Sequence, residues 1–265
     1  MDILNNLELY QQLIIISILS LVIGSFFSLL TYRINKDQGF IFTRSKCPSC
    51  NKALRFYNLI PLFSWILQFG KCSNCKNKIS IRYPLIELAF LLFFHISFFS
   101  LGQIIDYKLI FIFIIASILI YMCIIDLEHY YIPDLSQYLL ISVITIFTIM
   151  QTGEINIINN LLSGFCYLGF GLGLWLLFYY GASMEAIGID DLKFFFIAGF
   201  ALTLNSFLLF MLLSGISGLI FGSLWQFLKK DESFPFAPSI CFSLYICLII
   251  DNKFNMIDEI GKILF

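Results

Sequence analysis

Two groups of residues in this chain have the types and spacing to do chemistry. The first is a pair of cysteine doublets, Cys47-Pro-Ser-Cys50 and Cys72-Ser-Asn-Cys75, with 21 residues between them. Each C-x-x-C turn offers two thiolates to a tetrahedral ion, and two such turns complete a zinc site. Four protein ligands leave no position for water, so a site of this kind is structural. Two disulfides or free thiols are the alternative. The second group is acidic: Asp126-Leu-Glu-His-Tyr-Tyr-Ile-Pro-Asp134 and Glu185-Ala-Ile-Gly-Ile-Asp-Asp-Leu-Lys193. Two carboxyls around one water can share a proton, one serving as general base and one as general acid, the arrangement by which aspartic proteases hydrolyse peptides. Solvated loop acids are the alternative here, and sequence alone does not bring the two clusters together.

The elements that must position these residues are membrane helices. A chain of 265 residues that is 60% hydrophobic, 18% aromatic and 12% charged has too little polar material to cover a soluble domain of its size. Charge-free runs cover 9–32, 88–105, 109–125, 135–153, 155–184, 194–228 and 233–250. Most approach or exceed the ~18 to 20 apolar residues that cross a bilayer as helix. The run 194–228 has 35 residues, about 52 Å of helix against a ~30 Å hydrocarbon core. The polar pair Asn205-Ser206 divides it into a short helix, about Asp191 to Leu204, and a longer one, Phe207 to Leu228. The expected fold is therefore an all-α polytopic membrane protein with about eight transmembrane helices.

Charge placement orients the spans. Residues 33–83 hold ten of the sixteen Lys and Arg and one acid, Asp37, so this insert is expected in the cytoplasm by the positive-inside rule. A reducing compartment favours metal over disulfides for its four cysteines, and the surrounding Lys and Arg favour their thiolates. The start, Met1 to Glu8, lacks the basic region of a cleaved signal peptide. Eight crossings place both termini outside, Lys229 and Lys230 inside, and both acidic clusters on the cytoplasmic face near the ends of spans three and five. Acids at the ends of hydrophobic helices are functional candidates by default. The organisation is a first helix (1–32), a cytoplasmic four-cysteine insert (33–83) and a seven-helix core (84–265). Within the insert, the apolar stretch Asn58 to Phe69 is too short to span, and either lies in the membrane interface or packs on the bundle.

Several stretches together resemble the prepilin peptidases, the type IV leader peptidases of bacteria. They are Gly24-Ser-Phe-Phe-Ser-Leu-Leu-Thr-Tyr-Arg33, Ser45 to Cys50, Leu59-Ile-Pro-Leu-Phe-Ser-Trp65, Lys71 to Cys75, Ile79-Ser-Ile-Arg-Tyr-Pro-Leu-Ile-Glu-Leu88, Ile125 to Asp134 and Glu185 to Lys193. The resemblance covers most of 24–194; beyond it the chain agrees only in number of spans and hydrophobicity. It implies an intramembrane aspartic protease of the GxGD type in the bacterial inner membrane, with the active site facing the cytoplasm and the lipid bilayer around it. Its first catalytic aspartate falls on Asp126. The second belongs to a G-x-G-D-x-K pattern, which here reads Gly188-Ile-Asp190-Asp191-Leu-Lys193. Alignment on the Lys makes Asp191 catalytic and leaves Asp190 where the second Gly is expected. That replacement removes a conformationally free position and adds a like charge beside the dyad, although Asp tolerates φ > 0 better than most residues.

The implied substrates are type IV prepilins or type II secretion pseudopilins, whose basic leader is removed just before a hydrophobic helix; no nucleic-acid partner is expected. Members with the cysteine insert typically also methylate the new N-terminus with S-adenosylmethionine. No glycine-rich methyltransferase fingerprint occurs here, so that cofactor rests on the resemblance alone. The alternative is a zinc-bearing membrane scaffold or assembly factor whose peptidase activity Asp190 disables. A small transporter is disfavoured, because the acids gather at one membrane face.

The remaining candidates have plainer readings beside the functional ones. Glu87 is either a buried functional acid or an interfacial one paired with Arg82. Asp134 and Glu185 are supporting residues, with Gly188 allowing close approach beside them. Lys193 is a counter-charge for the dyad or a cytoplasmic anchor, with the anchor favoured. Pro133 restarts span four. His95 is a satisfied bundle residue, and His129 has no catalytic role. The glycines of 164–173 and 215–222 are helix-packing positions. Cys123, Cys166, Cys241 and Cys247 are isolated, ordinary buried side chains.

Overall fold

A computed structural model describes residues 2–5, 7–34, 45–152, 157–182, 188–202, 204–229 and 234–250. Its eight principal helices are α1 (Leu9–Ile34), α2 (Arg82–Ser100), α3 (Tyr107–His129), α4 (Asp134–Thr152), α5 (Ile157–Ala182), α6 (Ile189–Ala201), α7 (Phe207–Lys229) and α8 (Ala237–Ile250). Each expected span has become one of them. Six are long and apolar enough to cross a membrane; α6 and α8 are shorter. The chain is a multi-pass helical membrane protein. The long apolar run is broken where the polar pair predicts, in a 3₁₀ turn at Leu204–Ser206. Glu185, Lys230 and the acidic tail (Asp251, Asp258, Glu259) lie outside the described residues.

The chain forms two compact units, Met1–Phe99 and Ser100–Phe265. In the first, Gly24 on α1 lies against α2 so closely that a Cβ would meet the Glu87 Cα at 3.1 Å and the Phe90 side chain at 3.2 Å. Small residues allow such approach where no hydrophobic force drives helices together in lipid. Arg82 clamps the end of α1, donating to the Ser28 carbonyl (3.2 Å) and to Thr31 Oγ1 (2.7 Å). His95 is satisfied as expected: Nε2 bonds Ser17 Oγ at 3.2 Å and Nδ1 bonds the Leu91 carbonyl at 2.8 Å.

The second unit is built around α3, two-thirds of whose best apolar window is buried inside the protein, against about a fifth to a third for the other candidate spans. Its first turn is capped by Asp106, which accepts from the Leu109 N–H at 2.9 Å. It stops at Tyr130, whose left-handed backbone (φ 59°) sends its N–H back to the Asp126 carbonyl at 2.9 Å. The interface of α5 with α6 is close: a Cβ on Gly199 would strike the Ser163 carbonyl at 2.6 Å and the Tyr167 ring at 2.7 Å. The four cysteines of the spans are less uniform than their sequence positions suggest. Cys241 and Cys247 are buried and Cys166 is exposed, while Cys123 on α3 is intermediate and lies near Cys241 on α8.

Candidate active site and metal centre

Asp126 sits in the last turn of α3, only 5% exposed. Its Oδ2 accepts from the backbone N–H of Ala237 at 2.8 Å, so the N-terminus of α8 points at this carboxyl. A helix N-terminus carries free N–H groups and a partial positive charge, both suited to an anion. Pro238 has no N–H to offer, which leaves Ala237 to make the bond. The approach is set by α7: a Cβ on Gly218 would meet the Phe236 ring at 2.9 Å. Sequence reasoning passed over this contact, because a main-chain donor carries no residue-type signal. The cue available was Phe234-Pro-Phe-Ala-Pro238, prolines flanking a helix start.

Asp191 opens α6 three residues after Gly188 and is half-buried. Its Oδ2 folds back to accept from the Gly188 N–H at 3.2 Å. A side chain at 188 would crowd this turn, since a Cβ would come within 3.3 Å of that same oxygen. Asp126 and Asp191 interact electrostatically, and the buried Cys241 lies within reach of both charges. The two acidic clusters, 65 positions apart along the chain, thus lie within range of each other's charge.

Asp190 departs from the expected glycine without backbone strain. It lies in the first turn of α6 and is absent from the residues with positive φ. Its carboxylate is held by Lys193 Nζ at 3.1 Å, and the same ammonium reaches Asp134 Oδ1 at 2.7 Å. Lys193 is therefore a counter-charge for Asp190 and Asp134, a pairing that neither of its sequence readings contained. Gln137, 2% exposed, adds a second link from α4 by donating its Nε2 to the Asp190 carbonyl at 3.2 Å. Glu87 is buried in the first unit, where Oε2 accepts from the Leu62 N–H at 2.7 Å and the Ser25 side chain lies nearby.

The cysteine doublets form one cluster. The four sulfurs lie within 4.8 Å of one another, with Cys47 Sγ to Cys75 Sγ at 3.8 Å. A tetrahedron with Zn–S bonds of ~2.3 Å has edges of about 3.8 Å, so the sulfurs fit zinc. Both doublets are shaped alike. Asn51 and Lys76, each just past its second Cys, have left-handed backbones (φ 55° and 61°). The Asn51 and Lys76 N–H groups return to the Cys47 and Cys72 carbonyls at 2.9 and 3.0 Å. Hydrogen bonds to sulfur favour the thiolate. The N–H groups of Cys75 and Asn74 lower Cys72 to about 6, and the Lys52 N–H with the Asn74 amide lowers Cys50. Cys75 sits up at about 11: the Asn77 N–H draws it down, but burial and the other three sulfurs outweigh that.

Residues 18–101 match the Bacterial Peptidase A24 N-terminal domain and residues 113–223 match the Type IV leader peptidase family. The chain is 30% identical over 234 residues to a prepilin leader peptidase/N-methyltransferase of Bacillus subtilis, covering 86% of this chain and 90% of that one. To the protein of the same name from Vibrio cholerae it is 26% identical over 250 residues, 89% of this chain and 96% of the other. To that of Myxococcus xanthus it is 36% identical over 116 residues, 44% of this chain and 34% of the other. No solved structure matches the chain.

Proposed function

The chain belongs to the type IV leader peptidase family, and on that premise we propose that it is a membrane aspartic endopeptidase that removes the basic leader of type IV prepilins or pseudopilins. The observation that carries the proposal is that Asp126 at the end of α3 and Asp191 at the start of α6 lie within range of each other's charge, each with one oxygen held by a backbone N–H. The remaining oxygens hold a water between them, and one proton is shared by the pair. As the water attacks the scissile carbonyl carbon, one carboxylate takes its proton and the other carboxyl protonates the carbonyl oxygen. Collapse of the tetrahedral intermediate then breaks the C–N bond, and a carboxyl proton goes to the leaving amine. The pair acts as a unit, so base and acid are not assigned to single residues.

Asp190, Lys193, Asp134 and Gln137 support the site by tying the start of α6 to the start of α4. Because Lys193 compensates Asp190, the replaced glycine favours a working site over a disabled scaffold. In this reading the protein works as three parts, the first helix (1–32), the insert (33–83) and the core (84–265). It lies in the bacterial inner membrane, with the acidic pair at the cytoplasmic face where the charge bias puts it. Cys47, Cys50, Cys72 and Cys75 hold a zinc ion that cross-links the insert and does no chemistry. The relatives' names include N-methyltransferase; methylation of the new N-terminus with S-adenosylmethionine follows from the resemblance, and no residue here is assigned to it.

Cleavage of a prepilin by the purified protein in lipid tests the reading. Appearance of mature pilin with wild type and with Asp190→Ala, but not with Asp191→Asn, supports it; cleavage that survives Asp191→Asn and is lost in Asp190→Ala moves the dyad to Asp190.

A further inference from the structure

The insert exposes apolar side chains that a loop in water would not. Phe56 is 82% exposed, Phe63 61%, Ile66 60%, Leu67 77% and Phe69 87%, within fourteen residues. Exposed apolar area gathered in this way marks an interaction surface. Two further features identify what covers it. The first is depth. Glu87 is the sixth residue of α2, about 7 to 8 Å along a membrane-spanning helix, and its carboxylate holds the Leu62 N–H at 2.7 Å. Leu62 has a positive φ (59°) and immediately precedes the short helix Phe63–Leu67. That helix is thereby fixed level with the first turns of α2, where hydrocarbon gives way to headgroups. Trp65 closes the same element, packing on Gly70 and donating Nε1 to the Ile79 carbonyl at 3.4 Å.

The second feature is charge. Lys46, Lys52, Arg55, Lys71, Lys76 and Lys78 are exposed around this stretch, and no Asp or Glu occurs between Asp37 and Glu87. A surface of one sign beside an apolar patch suits anionic lipid, whose headgroups attract each nearby Lys or Arg. It does not suit a basic leader peptide; that exclusion alone rests on the peptidase reading.

We infer that residues 56–69 form a membrane-surface anchor, with the aromatic and aliphatic side chains in the headgroup boundary and the flanking Lys and Arg on anionic lipid. The four-cysteine cluster then rides on the bilayer surface at a fixed height.

The test uses the full-length protein with p-benzoylphenylalanine in place of Leu67 or Phe69, reconstituted in vesicles of phosphatidylcholine alone or with phosphatidylglycerol. Irradiation is expected to give lipid adducts at both positions, in higher yield with phosphatidylglycerol. Combining Arg55→Gln, Lys71→Gln and Lys78→Gln is expected to lower the yield in phosphatidylglycerol by roughly fivefold or more. Adducts to another segment of the chain, to a second copy or to prepilin, or no adduct, would overturn the anchor. Equal lipid yields in the two vesicle types would overturn the anionic recognition. Neither readout depends on cleavage, so failure here is separate from failure of the peptidase assignment.

Discussion

The cysteine insert and the acidic pair differ in how far apart along the chain their parts lie. Each doublet closes within six residues: the Cys47 N–H reaches the Lys52 carbonyl at 3.0 Å, and the Cys72 N–H reaches that of Asn77 at 2.8 Å. Asp191 is closed locally by the Gly188 N–H, but no local turn joins it to Asp126. Asp126 comes from the end of α3, Asp191 from the start of α6 and the Ala237 N–H from the start of α8. The insert is positioned by turns and the acids by helix packing, so a change in packing is expected to reach the second and spare the first.

The sharpest way to break that contrast is to neutralise the acids. Asp126→Asn and Asp191→Asn are each expected to lower leader cleavage by roughly a thousandfold or more, and the double variant no further, since the residues act as a unit. Initial rates in lipid would measure this; additive losses would separate the two residues. Serine at Cys47 or Cys72 is expected to remove bound zinc, read by metal analysis, and to open residues 45–81 to limited proteolysis while leaving the acidic pair in place. An unchanged metal content would end the zinc reading. Ala237→Pro deletes the N–H that bonds Asp126 at a helix position where proline is tolerated. Loss of a hydrogen bond to a charged group, worth about 1.5 to 3 kcal/mol, predicts a tenfold to hundredfold fall in kcat with zinc retained. Asp190→Gly restores the expected motif and removes one part-exposed ion pair of about 0 to 1 kcal/mol, so activity is expected to change by only a few-fold.

Much of this was legible in the sequence, and what was not has a common cause. The spans followed from runs without charge, the break at Leu204–Ser206 from one polar pair, and the cysteine cluster from its spacing. Those signals are local and lie in side-chain type. The Ala237 N–H, the Gln137 amide on the Asp190 carbonyl and the Leu62 N–H on Glu87 each involve a backbone group meeting a distant side chain. A residue's name does not show where its main chain points. Lys193 illustrates the same limit: its charge was plain, but its choice of Asp134 and Asp190 depends on how α4 meets α6.

The shortness of α6 has a consequence for the lipid. Thirteen residues make a rod of about 20 Å, some 10 Å less than the hydrocarbon core of a bilayer. Asn205, exposed just beyond its far end, belongs at a wet boundary. In the proposed orientation, the mismatch would be met at the other end, where Asp191 stands: either the bilayer would thin toward it or water would dip inward to it. Either would bring to Asp191 the solvent that the proposed hydrolysis consumes.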